Sequence, residues 1–344
     1  RPRGMYIPVP PGSFVPAAAP VAGANGDIIF MNRNGGTYTC GNENSSSNSS
    51  VVPCQTGTLT IPAFPYGDSA WNQLMNCVRD MYAPFNVRIT DVDPGATAHF
   101  ESVVGGDGSV LGPGVGGVAP YDTFSCGTIP RAITYTFAEP IGPNMQLMCE
   151  VAAQETAHAF GLDHEFYCLD PMTYLVGCGA KSFRDYDARC GEYSARNCQC
   201  NFATQNSYRR LLGALGSVNP CTTDDDCDGT DICHQSACIP GPGEAGGLGD
   251  ICTGDNVCYS GRCVDRGGDR RCTASCAPGD PAANCPTGFE CIDNAGQDVC
   301  WQSGLLDSGC CAVVGARRQH ASPLPWLAAS VALFAVFAAR RRRR

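Results

Sequence analysis

Cysteine is the residue that most constrains how this chain folds. The 344 residues include 24 cysteines, and 12 of them fall between Cys221 and Cys300. A zinc-ribbon array needs repeated C-x2-C pairs, whereas the spacings in this stretch are of the types C-x5-C, C-x4-C and C-x8-C. The cysteines therefore predict disulfides, which persist in exported proteins and are rare in a reducing cytosol.

Composition divides the chain into four parts. Residues 1–26 are rich in Pro, Ala and Gly and predict an irregular arm, whereas residues 27–215 carry patterned sequence. Residues 216–305 have little hydrophobic periodicity, so they cannot build a large core and need disulfides as staples. Their cysteines form one group from Cys221 to Cys238 and another from Cys252 to Cys300, with the pairing left open. Residues 306–344 form a tail.

Residues 27–215 predict an α+β domain. The amphipathic stretch 68–82 favours a helix that Asp68 or Ser69 caps, and a Gly-rich loop is expected up to Gly117. Cys40 and Cys54 flank an Asn/Ser tract that we expect them to clip as a loop. The remaining predictions are strands over 85–92, 98–104 and 131–138 and helices over 144–160 and 206–215.

The formal net charge of −10 argues against nucleic acid as a partner. The strongly basic run is Arg340–Arg344, and it follows an apolar stretch of about sixteen residues, 324–339. Such a stretch predicts a short transmembrane helix, with the arginines on the cytoplasmic side.

The end of the predicted helix 144–160, with the residues that follow it, contains candidate catalytic and metal-binding residues. It has the form Q-E-x-x-H-x-x-G-x-x-H, with Gln154, Glu155, His158, Gly161 and His164 at the named positions, and Met172 follows. Positions 154 and 158 lie one helical turn apart, so their side chains meet on one face and can grip one metal ion. Gly161 permits a sharp exit from the helix that brings His164 round as a third ligand.

This pattern resembles the metzincin signature, H-E-x-x-H-x-x-G-x-x-H followed by a Met-turn. The Gly-Leu-Asp-His ending is most similar to the matrixins, and Glu165 after the last His is similar to the astacins. The resemblance implies a metzincin-like zincin domain with a twisted mixed sheet, an active-site helix and one catalytic Zn²⁺. It also implies the following roles: Glu155 as general base, Gln154, His158 and His164 as metal ligands, and Met172 as an apolar floor under the metal.

Two features of this resemblance leave alternatives open. Gln154 stands where the family has His, and a neutral amide oxygen is a weaker zinc ligand than imidazole. Gln154 then ligates zinc through its oxygen, or another donor such as Asp163 or water completes the site, or the site is degenerate and the domain only binds. Tyr174 is either an oxyanion-stabilising residue or a core tyrosine.

Asp224, Asp226, Asp228 and Gly229 satisfy D-x-D-x-D-G, the start of a calcium-binding loop. The twelfth position is Gln235 rather than Glu, and a cysteine interrupts the run. Ca²⁺ is therefore a weakly supported cofactor, and an acidic disulfide loop is the alternative.

The tail resembles the MYXO-CTERM sorting signal of myxobacteria, because Ser308-Gly309-Cys310-Cys311 precedes the apolar stretch and the terminal arginines. The resemblance implies that a sorting peptidase acts near Cys310 or Cys311 and leaves the protein lipid-anchored at the cell surface, or released. A plain single-pass membrane anchor is the alternative. In either case the catalytic domain faces outward.

The sequence thus predicts an exported zinc endopeptidase whose substrates are extracellular proteins or peptides. The rival hypothesis is a surface adhesin or binding protein that reuses an inactive protease scaffold, and Gln154 is the residue that divides the two. A purely structural cysteine-rich surface protein is a third hypothesis, which the pattern from Gln154 to Met172 argues against.

Overall fold

The structure is a computed structural model that describes residues 3–14, 27–278, 285–294 and 297–304. The described residues up to Ser303 belong to one compact unit. The predicted tail, with the apolar stretch 324–339 and with Cys310 and Cys311, lies outside the described residues. Within the described ranges, no helix is both long enough and apolar enough to cross a bilayer.

The described part of the chain is an α+β fold with four α-helices and several short 3-10 turns. The helices are α1 (Gly67–Tyr82), α2 (Ala138–Ile141), α3 (Met145–His158) and α4 (Ser207–Leu215). The strands up to residue 136 are β1 (Arg3–Pro8), β2 (Asp27–Asn32), β3 (Gly36–Cys40), β4 (Ser49–Ser50), β5 (Thr58–Ile61), β6 (Val87–Thr90), β7 (Phe100–Val104), β8 (Val115–Tyr121) and β9 (Ile133–Thr136).

A mixed six-stranded sheet, in the order β1-β8-β9-β7-β2-β6, organises the molecule. β6, β2, β7 and β9 run parallel, and β8 runs antiparallel to β9. β1 pairs with β8 in parallel, so these two strands share a direction opposite to the other four. Strands β3, β4 and β5 form a smaller sheet.

Helix α3 packs against the sheet and against α1, and the apolar faces of all three meet in one large core. α1 contributes Trp71, Leu74 and Val78, which recur at helical spacing and are buried. The disulfide between Cys77 and Cys149 ties α1 to α3. α3 is therefore held by packing against the sheet and α1 and by a covalent bond to α1.

Most of the elements predicted for residues 27–215 are confirmed. The helix over 68–82, the helix over 144–160 and the helix over 206–215 correspond to α1, α3 and α4, and the three predicted strands contain β6, β7 and β9. The predicted cap of α1 is wrong, because the N-cap is Tyr66 and no side chain caps that end. The predicted Gly-rich loop is shorter than expected, because β8 begins at Val115.

The irregular arm predicted for residues 1–26 is wrong for residues 3–8, which form β1. Met5, Ile7 and Val9 alternate with Tyr6 and Pro8, so the strand period is present but is obscured by the prolines around it. Residues 15–26 of the predicted arm lie outside the described residues.

Disulfides are confirmed throughout: every cysteine from Cys40 to Cys300 is paired, including the predicted Cys40–Cys54 clip. The cysteine-rich stretch is built of three hairpins, β10 (Ile232–His234) with β11 (Ala237–Ile239), β12 (Cys263–Arg266) with β13 (Asp269–Cys272), and β14 (Phe289–Asn294) with β15 (Gln297–Gln302). Each hairpin carries two disulfides. The six pairs are 221–233, 227–238, 252–263, 258–272, 276–291 and 285–300.

Candidate active site

The site lies at the end of α3, where the helix turns sharply. The side chain of Asn144 accepts a hydrogen bond from the Leu147 N–H at 3.0 Å and begins the helix. The helix ends at His158, and Gly161, three residues later, has φ +81; a Cβ there would overlap the carbonyl oxygen of Cys126. The predicted role of Gly161 as a helix-ending turn is therefore confirmed, and His164 folds back toward His158.

His158 and His164 face each other through their Nε2 atoms, which lie 3.1 Å apart. The Nδ1 atom of His158 lies 2.6 Å from the carbonyl oxygen of Leu162, and Nδ1 of His164 lies 3.0 Å from Glu192 Oε1. A carbonyl or a carboxylate oxygen only accepts, so each Nδ1 carries the proton and each Nε2 presents a lone pair. Two lone pairs at this distance repel each other unless a cation or a proton lies between them.

This geometry fits zinc. Two Zn–N bonds of about 2.0–2.1 Å at a tetrahedral angle place their nitrogens about 3.3 Å apart, close to the observed separation. The Nδ1 hydrogen bonds also fix the tautomer and the ring orientation, as the outer partners of metal-bound histidines do. Burial, followed by the neighbouring His164, holds the pKa of His158 well below its usual range, so its imidazole is neutral, the form that binds metal.

Gln154 and Glu155 lie one turn before His158, and both are buried. Among the described residues, Gln154 Nε2 and both carboxylate oxygens of Glu155 have no hydrogen-bond partner. Unpaired polar atoms in a core destabilise a fold, so their presence together beside two convergent imidazoles indicates a functional site. Burial raises the pKa of Glu155 well above its ordinary value.

The carboxylate of Asp163 is already bound by other groups. Its two oxygens accept hydrogen bonds from Arg196 at 2.6 and 2.9 Å and from the backbone N–H groups of His164 and Gln199. Asp163, His164 and Glu192 bring potential ligand atoms close together, but His164 takes part through Nδ1 and Arg196 neutralises both carboxylates. This cluster orients His164 and does not form a separate metal site.

Glu192 is the acceptor that orients His164. Its hydrogen bond to His164 lowers the pKa of Glu192 to about 2, against a rise from burial, and Arg196 adds to the lowering. Arg196 therefore bridges the carboxylates of Asp163 and Glu192.

Met172 is fully buried, as an apolar floor residue requires. Its N–H donates to Asp170 Oδ1 at 2.9 Å, and its carbonyl accepts from the N–H of Glu165 at 2.8 Å. The turn is therefore hydrogen-bonded to the residue that follows His164. The disulfide between Cys168 and Cys178 encloses the same loop.

Tyr174 reaches the site. Its ring lies 4.7 Å from that of His164, and its hydroxyl donates a hydrogen bond to the carbonyl oxygen of Gly4. A hydroxyl that already holds a peptide carbonyl beside the histidines is placed as an oxyanion donor would be.

His99, a buried histidine of the sheet region, lies elsewhere: its ring packs against Phe30, and its Nδ1 lies 2.7 Å from the carbonyl oxygen of Thr97. In the proposed calcium loop, Asp226 forms a capping box with Thr223, and Asp224 accepts from the Cys233 N–H. The carboxylates of Asp224 and Asp226 therefore already hold backbone groups of the disulfide loop. The cysteine clusters of the hairpins that lie near enough to hold a metal are all disulfide-bonded and offer no thiolate.

Sequence reasoning missed four residues that the fold brings to the site. Glu192 and Arg196 lie on an irregular loop, where no periodic signal marks them. Gly4 and Tyr6 lie on β1, and the prolines in that segment obscure its strand pattern in the sequence. The Tyr6 ring lies 5.3 Å from the rings of both His158 and His164.

The chain matches no known protein-family model and no curated protein.

Proposed function

We propose that this protein is a zinc-dependent endopeptidase that hydrolyses extracellular proteins or peptides. The observation that carries the proposal is the pair of Nε2 atoms 3.1 Å apart, with both Nδ1 atoms hydrogen-bonded and an unpaired Glu155 one turn away on the same helix. The α+β fold with a mixed sheet is consistent with the metzincin-like domain that the sequence pattern implies.

Each residue of the site has a separate role in the proposed reaction. His158 and His164 would hold the metal, and the amide oxygen of Gln154 would be the third ligand, because Asp163 is engaged with Arg196. A zinc ion held there would lower the pKa of a water molecule and polarise the scissile carbonyl. Glu155 takes the proton of the attacking water and passes it to the leaving amine. Tyr174 donates a hydrogen bond to the oxygen of the bound peptide carbonyl.

The disulfides support export, because paired cysteines persist outside the cytosol. We propose that the protein is held at the cell surface through its tail and that a sorting peptidase acts at Cys310 or Cys311, with a membrane helix over 324–339 as the alternative anchor. The catalytic domain then faces outward in both cases.

Metal content tests the proposal without requiring activity. The full chain, produced with its disulfides intact, is expected to hold about one zinc per chain by elemental analysis after dialysis. His158→Ala should abolish this zinc, whereas His99→Ala, which removes a buried histidine elsewhere, should retain it. A chain without zinc at neutral pH, or one whose zinc survives His158→Ala, contradicts the proposal.

A binding protein built on the same scaffold is the second candidate, and the amide at position 154 favours it because amide oxygen is a weak zinc ligand. The variant Gln154→His discriminates the two. If the natural chain lacks zinc and Gln154→His gains it, the natural site is degenerate. If both bind zinc and Glu155→Gln abolishes hydrolysis of casein without loss of zinc, the endopeptidase proposal stands.

A further inference from the structure

Strand β1 occupies the outer edge of β8. The pairing runs in register from Gly4 opposite Gly117 to Pro8 opposite Tyr121, and the Val9 N–H extends it with a 3.0 Å bond to the Tyr121 carbonyl. An exposed strand edge is a template that binds an extended peptide through its main chain. Here the chain's own segment fills that template.

The same segment covers the catalytic groups. A Cβ on Gly4 would overlap Glu155 Oε1, so only a glycine allows the strand to pass this closely over the carboxylate. The ring of Tyr6 lies against both imidazoles, with centroids 5.3 Å apart in each case. Tyr174 holds the carbonyl of Gly4, so the hydroxyl placed to bind a peptide substrate is already bound.

The segment is anchored on both sides. Ile7 and Val9 belong to the main hydrophobic core, and the Tyr6 hydroxyl accepts a 3.0 Å hydrogen bond from Gln199 Nε2. The disulfides Cys126–Cys200 and Cys190–Cys198 hold the loop that carries Gln199. The disulfide-linked loop that carries Gln199 therefore forms the side of the groove opposite β8. The extended segment lies between this loop and the edge of the sheet.

We propose that residues 3–9 fill the peptide-binding groove of this protein and keep it closed until the segment is displaced. The groove takes an extended polypeptide that pairs with the edge of β8 and places an aromatic side chain over the histidine pair. The blocking role rests on the proposed peptidase function, whereas the occupancy of a peptide groove does not.

The segment lies directly over the catalytic groups, and the side chain of Glu155 is fully buried beneath it. Gly4 lies directly against Glu155, and the Tyr6 ring packs beside both imidazoles. The turn that follows β1 is the accessible point of release: Pro10, Pro11 and Gly12 are exposed, and open space surrounds the Cβ position of Gly12.

The test cuts this turn after the protein has folded. A recognition sequence for a specific protease is inserted between Gly12 and Ser13 of the full chain, and the purified protein is assayed before and after cutting. The matched control carries the same insertion between Gly267 and Gly268, in the open turn of the β12–β13 hairpin. The probe is a fluorescent synthetic peptide with the sequence of residues 1–12, and casein is the substrate.

After cutting at Gly12, the chain should bind the probe, and a Tyr6→Ala probe should bind at least tenfold more weakly. Casein hydrolysis should rise at least tenfold, with zinc content unchanged. The uncut chain and the cut control should show neither change. Tyr6→Ala in the uncut chain is a second variant that needs no release of the segment, and it should raise casein hydrolysis several-fold.

The outcomes separate the two proposals. Probe binding after the cut, without zinc or hydrolysis in any form, leaves the occupied groove standing and overturns the peptidase. Zinc and Glu155-dependent hydrolysis at equal rates before and after the cut overturn the blocking segment and leave the peptidase standing. Failure of the cut chain to bind the probe, or cleavage of the uncut chain between Gly4 and Met5 seen by mass spectrometry, also overturns the blocking segment.

Discussion

The sheet region, residues 27–215, and the cysteine-rich hairpins, residues 221–303, solve the same problem of stability in different ways. The sheet region buries one large apolar cluster to which the four α-helices and the six-stranded sheet contribute. The hairpins bury two small clusters, one of Ile239, Leu248 and Ala274 and one of Cys252, Cys258 and Cys272. In the second of these clusters the disulfides themselves are the core.

The same covalent bond therefore has two roles in one chain. Cys77–Cys149 joins two helices that already pack through apolar side chains, so it adds to an existing core. Cys258–Cys272 lies in a buried cluster made of cysteines alone, so it takes the place of an apolar core. A short stretch with few buried apolar residues cannot offset the loss of chain entropy in any other way.

Reduction of the disulfides should produce the largest difference in stability between the two regions. In a thiol reductant at neutral pH without denaturant, the hairpins should lose their amide hydrogen-exchange protection completely, because each lost disulfide costs about 2–5 kcal/mol. The amides of α1 and α3 should remain protected. Loss of protection in both regions at the same reductant concentration would show that they unfold as one cooperative unit and would defeat the comparison.

Matched leucines probe the cores themselves. Leu74 in α1 is fully buried in the large cluster, and Leu248 is almost as buried in the small one. Leu74→Ala should lower the free energy of unfolding by about 3–5 kcal/mol, because the crowded surroundings cannot collapse into the cavity. Leu248→Ala should cost about 2 kcal/mol or less, measured by denaturant unfolding with the disulfides intact. Equal losses would mean that the hairpins hold a true core.

The two regions also differ in how far sequence predicts them. α1 and α3 were predictable because Trp71, Leu74 and Val78, and the motif on α3, repeat at helical spacing. The strands β6, β7 and β9 were predictable from their β-branched and aromatic runs. The number and spacing of the cysteines predicted disulfides in the hairpins. They did not predict which cysteines pair, because the spacings allow many connectivities.

The candidate site was predictable only where local geometry fixes it. The helical turn from Gln154 to His158 and the glycine turn at Gly161 follow from residue type and spacing. Glu192, Arg196 and Tyr6 come from distant segments, and only tertiary packing brings them to the histidines. β1 was missed because Pro8, Pro10 and Pro11 have the composition of an irregular arm, although a proline-bounded edge strand is compatible with β structure.

The response to pH should have opposite signs in the two regions. Burial raises the pKa of Glu43 in the sheet region to about 7, although hydrogen bonds from Ser50, Ile133 and Val51 lower it. Between its ordinary value of 4.5 and about 7, the folded state keeps a proton that the unfolded chain has lost, so stability falls as pH rises. At about 1.4 kcal/mol per pKa unit, the loss reaches about 3 kcal/mol.

In the hairpins, hydrogen bonds from Thr222 and Thr223 lower the pKa of exposed Asp226 to about 2. Its contribution to stability is present above its ordinary value of 3.8 and is lost as pH falls toward 2. Denaturant unfolding from pH 3 to 8 checks both signs. Glu43→Gln should remove the loss between pH 4.5 and 7, and Asp226→Asn should remove only the acid-side loss; unchanged pH profiles would refute the assignment.

The smallest expected effect lies where the two regions meet. The Tyr167 hydroxyl donates a 2.6 Å hydrogen bond to the carbonyl of Gly261, across the boundary between the sheet region and the hairpins. Tyr167→Phe keeps the ring stacked on Tyr186 and should cost about 1 kcal/mol, seen as weaker hydrogen-exchange protection of the β12–β13 hairpin with α3 unaffected. Tyr66→Phe, which removes a bond to Ala138 inside the sheet region, is the matched control and should weaken protection there alone. If Tyr167→Phe weakened α3 as much as the hairpin, the boundary would carry cooperativity between the two regions, and their separate modes of stabilisation would not act independently.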